Sequence, residues 1–323
     1  MTTANYPINS REYTCFTPIK NELTFEKNIN YLFELSYLAG LHIQGELAQP
    51  FLQGQVTCDV KEVSLQQCRQ GALCNLKGRI LALLDIVHWE RHGFQLIVPT
   101  DLLHQTQASL AKTAMFSQVT LSPNANVQLF GFYLQNEMDT TPMDEKLPTN
   151  RYDCVQGEHY CGYHLGDNLF IFMVDNEHVK DFTHPFIKRS QWRGSLAWHA
   201  LQLANKHLEI YPESRGLFLP HRIDLQHTQY LSFNKGCYKG QEIIARTHYR
   251  AKLKHGLKVF TVQTDAALQS GQKILSADGA TEVGELIDYC PLGNNTYLIA
   301  TSIVLEAPSK IKLEHHSELI TLE

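Results

Sequence analysis

One short segment of this chain has residue types and an order suited to thiol chemistry. It reads Lys235-Gly236-Cys237-Tyr238-Lys239-Gly240-Gln241-Glu242. The thiolate is the reactive form of cysteine, and nearby cations or a helix N-terminus lower its pKa from ~8.5 toward neutrality. Lys235 and Lys239 supply cations on both sides of Cys237. Residues 241–247 read as a helix, which sets Cys237 just before its positive end. Gly236 and Gly240 permit tight backbone geometry and leave room for a ligand beside the sulfur. Tyr238 offers a ring to a planar ligand, and Gln241 and Glu242 offer hydrogen bonds to that ligand or to the loop. The competing reading is a buried structural cysteine in a glycine turn. Unpaired ammonium groups are costly to bury, which weighs against it. His221, His248 and His255 are near in sequence, but none has a spacing that identifies a catalytic base.

The same region is basic. From Lys235 to Lys258 there are seven Lys or Arg and one acid, Glu242, in a chain of net charge −5. Such a run suits an anionic ligand or a nucleic-acid phosphate. Lys252 and Lys254 alternate, which equally suits the solvated face of a strand.

These residues need elements to position them. Residues 1–25 read as an irregular arm. Leu35–Gln44 is apolar enough for a strand, and 45–53 opens a short helix burying Leu47, Phe51 and Leu52. Residues 71–76 and 79–89 form a hairpin around Lys77-Gly78, where glycine supplies positive φ. A strand over 94–98 precedes a helix from Thr100, a capping residue, to about Ala114. Strands follow at 127–134 and 169–174, separated by a polar loop over 136–150. Residues 190–210 read as a helix. Beyond residue 250 the period becomes two, and Gly271, Gly279, Gly284 and Gly293 punctuate short strands. That pattern predicts a small antiparallel barrel.

At 323 residues, the length favours about two domains. No run of ~18 apolar residues predicts a membrane helix. The first 25 residues carry charges throughout and lack an apolar stretch, so no signal peptide is expected. The eight cysteines include no C-x-x-C pair and no zinc-ribbon or ferredoxin spacing. This predicts a cytoplasmic protein with reduced thiols and no metal site. The sixteen histidines include no H-E-x-x-H on a convincing helix.

Lys235–Glu242 resembles the K-G-C-[aromatic]-x-G-Q-E signature of the YgfZ family, folate-binding relatives of the glycine-cleavage aminomethyltransferase. Arg246 and the run Tyr249-Arg250-x-Lys252-x-Lys254 are also similar. Upstream, Phe51-Leu52-Gln53-Gly54-Gln55 through Val60 looks like the family's N-terminal segment. Cys74-Asn75-Leu76-Lys77-Gly78-Arg79 resembles its hairpin, and Phe218-Leu219-Pro220 with Leu225-Gln226 its approach to the thiol loop. The resemblance runs from about residue 30 to residue 260.

It implies an α+β fold, an aminomethyltransferase (GcvT)-like multi-lobed ring with ferredoxin-like α/β lobes and a C-terminal antiparallel β-barrel. Residues 1–245 would form the folate-binding region as two interleaved α+β lobes, and 246–323 the barrel. It implies tetrahydrofolate as cofactor, with Trp198, Tyr37, Lys77 and Arg246 as contacts. It implies a reactive thiol at Cys237 supported by Lys235, Tyr238, Gln241 and Glu242. The implied role is an accessory one, in assembly or repair of iron–sulfur clusters in client enzymes, including tRNA-modifying ones. A tetrahydrofolate-dependent one-carbon (aminomethyl) transferase or demethylase is the alternative, and a tRNA-binding module the second. The sequence departs from the pattern at three places. Leu81 and Ala82 stand where the transferases carry an acid, with Asp85 further along. Ala204 stands for an expected glutamate, and Lys206-His207-Leu208 for Gly-x-Pro. Leu38, next to Tyr37, stands for an aromatic residue.

Overall fold

The computed structural model describes residues 4–143 and 146–322. Alternating side chains build two sheets that share one core. The first is antiparallel, ordered Arg69–Cys74, Ile80–Trp89, Gly93–Pro99, Leu38–Gln44, Thr120–Asn124. Its outward residues Leu84, Ile86, Leu96 and Val98 pack with Phe51 and Leu52 of the helix Ala48–Gln53 and with Leu110 and Ala114 of the helix Thr100–Phe116. Its inward residues Leu83, Val87 and Ile97 join the central core. Both faces are covered, so Arg69–Cys74 is buried at every position.

The second sheet runs Cys154–Gln156, Tyr160–Gly166, Leu169–Asp175, Val127–Tyr133, Tyr31–Glu34, Trp192–Arg193. Its last pair is parallel and the others antiparallel. Phe130, Phe132, Phe170 and Phe172 point outward to Phe186 of the helix Val179–Lys188. Leu129, Ile171 and Met173 alternate with them and face the central core, which the helix Ser195–Ala204 enters.

The third sheet, antiparallel throughout, is ordered His255–Gln263, Thr296–Val304, Glu282–Gly293, Lys273–Ser276, Lys310–Leu313, Ile320–Thr321. Its edge strands do not pair with one another among the described residues, so it is a curled half-barrel rather than a closed barrel.

Three expectations change. The N-terminal arm is a hairpin, Ala4–Ile8 with Arg11–Cys15, because Ile8 and Tyr13 are fully buried and hold it against the core. The helix expected over 190–210 is confined to Ser195–Ala204. Trp192–Arg193 is drawn into strand pairing with Leu32–Phe33, and Lys206, at φ 62°, turns the chain away. Thr100 does not cap its helix; Pro99 holds that position, with no side-chain hydrogen bond. The helix Gln241–Arg250 leads into the third sheet, whose first strand begins at His255.

Candidate functional site

The thiol loop is docked on the N-terminal lobe by glycine contacts and one lysine. Gly240 has φ 87° and Gly78 φ 70°. A methyl group on Gly240 would stand 2.5 Å from the Asn75 carbonyl oxygen, and one on Gly78 would stand 3.3 Å from the Gly240 carbonyl oxygen. The turn over 75–79 therefore meets the loop backbone to backbone, an approach that only glycine permits. Lys239 N–H donates to the Gly54 carbonyl at 3.2 Å.

Cys237 is exposed, whereas Cys154 is half-buried and the other six cysteines are buried. A methyl group on Gly236 would meet nothing within 4 Å, so the loop is open to solvent beside Gly236. The helix Gln241–Arg250 starts after Gly240, with Glu242 and Arg246 exposed on it and Gln241 half-buried.

Two supporting residues are placed differently from expectation. Lys235 does not present a free cation to the sulfur. Its ammonium is turned into the N-terminal lobe, donating to the carbonyls of Val56 at 2.7 Å and Cys58 at 2.6 Å, and lies 5.1 Å from the centre of the Tyr238 ring. Burial pulls its pKa down to about 8. Two carbonyls and a ring face make this burial tolerable. Tyr238 is buried beneath the loop, and desolvation holds its phenol well above the ordinary range. Its ring packs in the core and is not offered to a ligand.

The four expected folate contacts do not share one pocket. Trp198 is fully buried, 5.4 Å from Phe33. It lies so close over Gly131 that a methyl group there would be 2.5 Å from the indole Cε3. Its Nε1 has no hydrogen-bond partner among the described residues. Tyr37 is buried and donates to Gln202 Oε1 at 3.3 Å or Glu209 Oε1 at 3.2 Å. Lys77 is exposed on the turn over 75–79, and Arg246 is exposed on its helix, both beside the thiol loop.

The centre of the molecule instead holds a cleft with two arms. The deep arm, about 40 Å³, is lined by residues including Gln70, Asp85, Gln202 and Glu209. The wide arm, about 290 Å³, includes Arg151, Lys206 and Asp224. Leu83, His207, Leu208 and Tyr230 belong to both. Asp85 accepts from Gln70 Nε2 at 3.0 Å and from the Tyr163 hydroxyl at 2.8 Å. Desolvation raises its pKa despite these donors. Desolvation also raises the pKa of Glu209, against the opposing pull of Arg11, whose Nη1 donates to it at 3.0 Å. The strand after the hairpin thus does turn a carboxylate inward, at Asp85 rather than at Leu81, which packs in the outer core. Gln202, Glu209 and Tyr230 carry no motif, and only the fold brings them to Asp85.

No protein-family model matches the chain. Over 221 residues it is 30% identical to "tRNA-modifying protein YgfZ" of Hamiltonella defensa, covering 67% of this chain and 66% of the relative. Over 246 residues it is 25% identical to the protein of that name from Colwellia psychrerythraea, covering 76% and 75%. A Yersinia pseudotuberculosis relative of the same name is 29% identical over 212 residues, covering 64% and 63%. The match to the first and third of these spans just under two thirds of their length. Among solved structures, the glycine cleavage system aminomethyltransferase T of Bartonella henselae superposes with a TM-score of 0.75 at 14% identity. That match covers 99% of this chain and 92% of the other, a likeness of fold. With the intact thiol loop and the relatives' shared name, the chain belongs to the YgfZ family, built on the aminomethyltransferase fold.

Proposed function

We propose that this protein is a cytoplasmic, folate-binding accessory protein that supports assembly or repair of iron–sulfur clusters in client enzymes, including tRNA-modifying ones. The carrying observation is Cys237. It is the exposed cysteine among eight, on a loop fixed from beneath by Lys235 and Gly240, with open space at the neighbouring Gly236. A thiol held this way is available to a partner protein while its backbone stays in place. Exposed Arg246 and Arg250 and exposed Tyr249 flank it and suit an anionic partner surface, tRNA included.

The central cleft supports tetrahydrofolate. When bound, this cofactor carries one-carbon units. Asp85 and Glu209 are carboxylates that would accept from the amino and ring N–H groups of a pterin once side chains of the deep arm move aside to admit it. Leu83 and Ile97 supply apolar walls. Arg151 and Lys206 line the wide arm and match a glutamate tail in charge. At about 290 Å³ the wide arm is near the lower end for small-molecule sites. The deep arm, about 40 Å³, takes only water-sized groups without side-chain movement.

A one-carbon transferase is the second reading, favoured by the inward Asp85. Formation of 5,10-methylenetetrahydrofolate from a methylamine-type donor would support it, and silence across a donor panel would remove it.

The test of the main reading is complementation of a deletion strain. The parent gene restores activity of iron–sulfur tRNA-modifying enzymes, and Cys237→Ser, folded by circular dichroism, does not. Full rescue by Cys237→Ser sinks the thiol role. Absence of saturable tetrahydrofolate quenching of tryptophan fluorescence sinks the folate role.

A further inference from the structure

Away from both sites, the lobes meet at a cluster of nitrogen and carboxylate donors. The first sheet contributes Arg91 and His92, at the hairpin tip between Ile80–Trp89 and Gly93–Pro99. The second sheet contributes His159, Asp175 at the end of its strand, and His178 in the short turn that follows. The Asp175 N–H donates to the His159 carbonyl at 2.9 Å, which fixes their spacing through the sheet backbone. One ligand atom from each of His159, Asp175 and His178 lies within 4.8 Å of the others.

Three details show that the cluster is arranged around a cation. First, Arg91 Nη1 sits 2.9 Å from Asp175 Oδ2, 3.2 Å from His159 Nδ1 and 3.3 Å from the Glu158 carbonyl oxygen. A guanidinium has no acceptor, so His159 Nδ1 points a lone pair at this cationic nitrogen. Second, His178 Nδ1 is buried with no hydrogen-bond partner; its ring stacks parallel on that of His159 at 3.5 Å and 6°, so one of the two rings must turn for both lone pairs to meet one ion. Third, His92 Nε2 lies 3.0 Å from Asp175 Oδ1 and leaves Oδ2 facing the cluster. This is the outer-shell hydrogen bond that orients a ligating carboxylate.

Spacing and donor type select the class of ion. Tetrahedral donors at about 2.0–2.1 Å from zinc stand roughly 3.4 Å apart. His159 Nδ1 and Asp175 Oδ2 are 3.6 Å apart. Imidazole nitrogens with one carboxylate suit zinc and its first-row neighbours over magnesium or calcium. The Arg91 side chain is 55% exposed, so it can swing into solvent and yield its place.

We infer that His159, Asp175 and His178 form a binding site for a zinc-class divalent cation, with Arg91 holding the cation's place in its absence and His92 orienting Asp175. All three ligands come from the second sheet, and His92 ties the site to the first sheet through Asp175; neither the cleft nor the thiol loop supplies a ligand.

The test is titration of the purified protein with Co(II), read by its visible absorption, and with Zn(II) by calorimetry. A Cys237→Ser background removes the exposed thiol as a competing ligand. One equivalent binds the parent. His178→Ala or His159→Ala weakens binding more than tenfold, and His92→Ala weakens it about 10–100-fold. Arg91→Gln, which removes the competing cation, tightens it. Circular dichroism checks that each variant is folded, and half-exposed His178 makes its variant the safest for the fold. No stoichiometric Co(II) binding by the parent overturns the inference. So does binding that His159→Ala and His178→Ala leave unchanged.

Discussion

The Lys235 ammonium donates to the Cys58 carbonyl oxygen at 2.6 Å, tying the thiol loop to the N-terminal lobe across 177 residues of sequence. A second bond of 2.7 Å to the Val56 carbonyl completes the anchor. Replacing Lys235 by Met leaves two carbonyls without a donor, at a cost of about 1–3 kcal/mol. The sign of the pH dependence also follows. Burial lowers the Lys235 pKa from 10.5 to about 8. Between those values the unfolded chain binds more protons than the folded one, so this group's contribution to stability rises with pH. Urea midpoints should therefore separate parent and Lys235→Met increasingly from pH ~8 to ~10. A constant separation across that range would refute the assignment.

Thiol accessibility gives a second check. Cys237 is exposed, Cys154 half-buried, and the other six cysteines buried. Desolvation pushes Cys58 and Cys74 up to about 12, which suppresses their thiolates further. A thiol reagent at neutral pH should modify one site quickly in the native protein and the buried thiols only after denaturation. Cys237→Ser should remove the fast phase. A fast phase that survives the substitution means another cysteine is open in solution.

Much of this was legible in the sequence because the signals were local. A glycine turn needs glycine, so Gly78 and Gly240 marked their places, and the period-two pattern after residue 250 marked the third sheet. The failures involve partners distant in the chain. Lys235 reads as a cation for Cys237 when only neighbours in sequence are considered, yet its carbonyl acceptors belong to residues 56 and 58. The family resemblance implies a folate contact at Trp198, but packing over Gly131 consumes its face. The hairpin Arg11–Cys15 looks irregular because its burial depends on Asp101, Glu209 and Tyr211, which no local pattern connects.

That hairpin carries the third prediction. Arg11 donates to both Asp101 oxygens at 2.9 Å, to Glu209 at 3.0 Å and to the Ile210 carbonyl at 2.8 Å. It joins the N-terminal hairpin to a helix of one lobe and to the wall of the central cleft. Removing one partner from a buried ion network typically costs about 3–5 kcal/mol, because the charges left behind are unpaired. Arg11→Met should lower stability by that amount in denaturant titrations. Adding Glu209→Gln to it should cost less than the two single changes together, since the stranded charge is then gone. Strict additivity would show that the pair is not coupled.

His199 and Asp288 provide the last prediction, within the same core. Both side chains are fully buried, and His199 Nε2 lies 3.2 Å from Asp288 Oδ1. Burial alone pulls the His199 pKa down, but the Asp288 charge and hydrogen bond outweigh it and the net shift is upward from 6.5. The folded state therefore binds this proton more tightly than the unfolded state. Its contribution is fully present below the unfolded value and is lost as pH rises through the folded one. The Tyr211 hydroxyl at 2.7 Å and the backbone N–H groups of Tyr289 at 2.8 Å and Glu209 at 2.9 Å also donate to Asp288, so the carboxylate keeps partners when the histidine is removed. His199→Gln is consequently the cleaner variant. Parent stability should fall relative to His199→Gln as pH rises above about 6.5, measured by urea denaturation at fixed ionic strength. If the two proteins keep parallel pH profiles, His199 is neutral in the folded core throughout, and its contact with Asp288 is a hydrogen bond from a neutral imidazole.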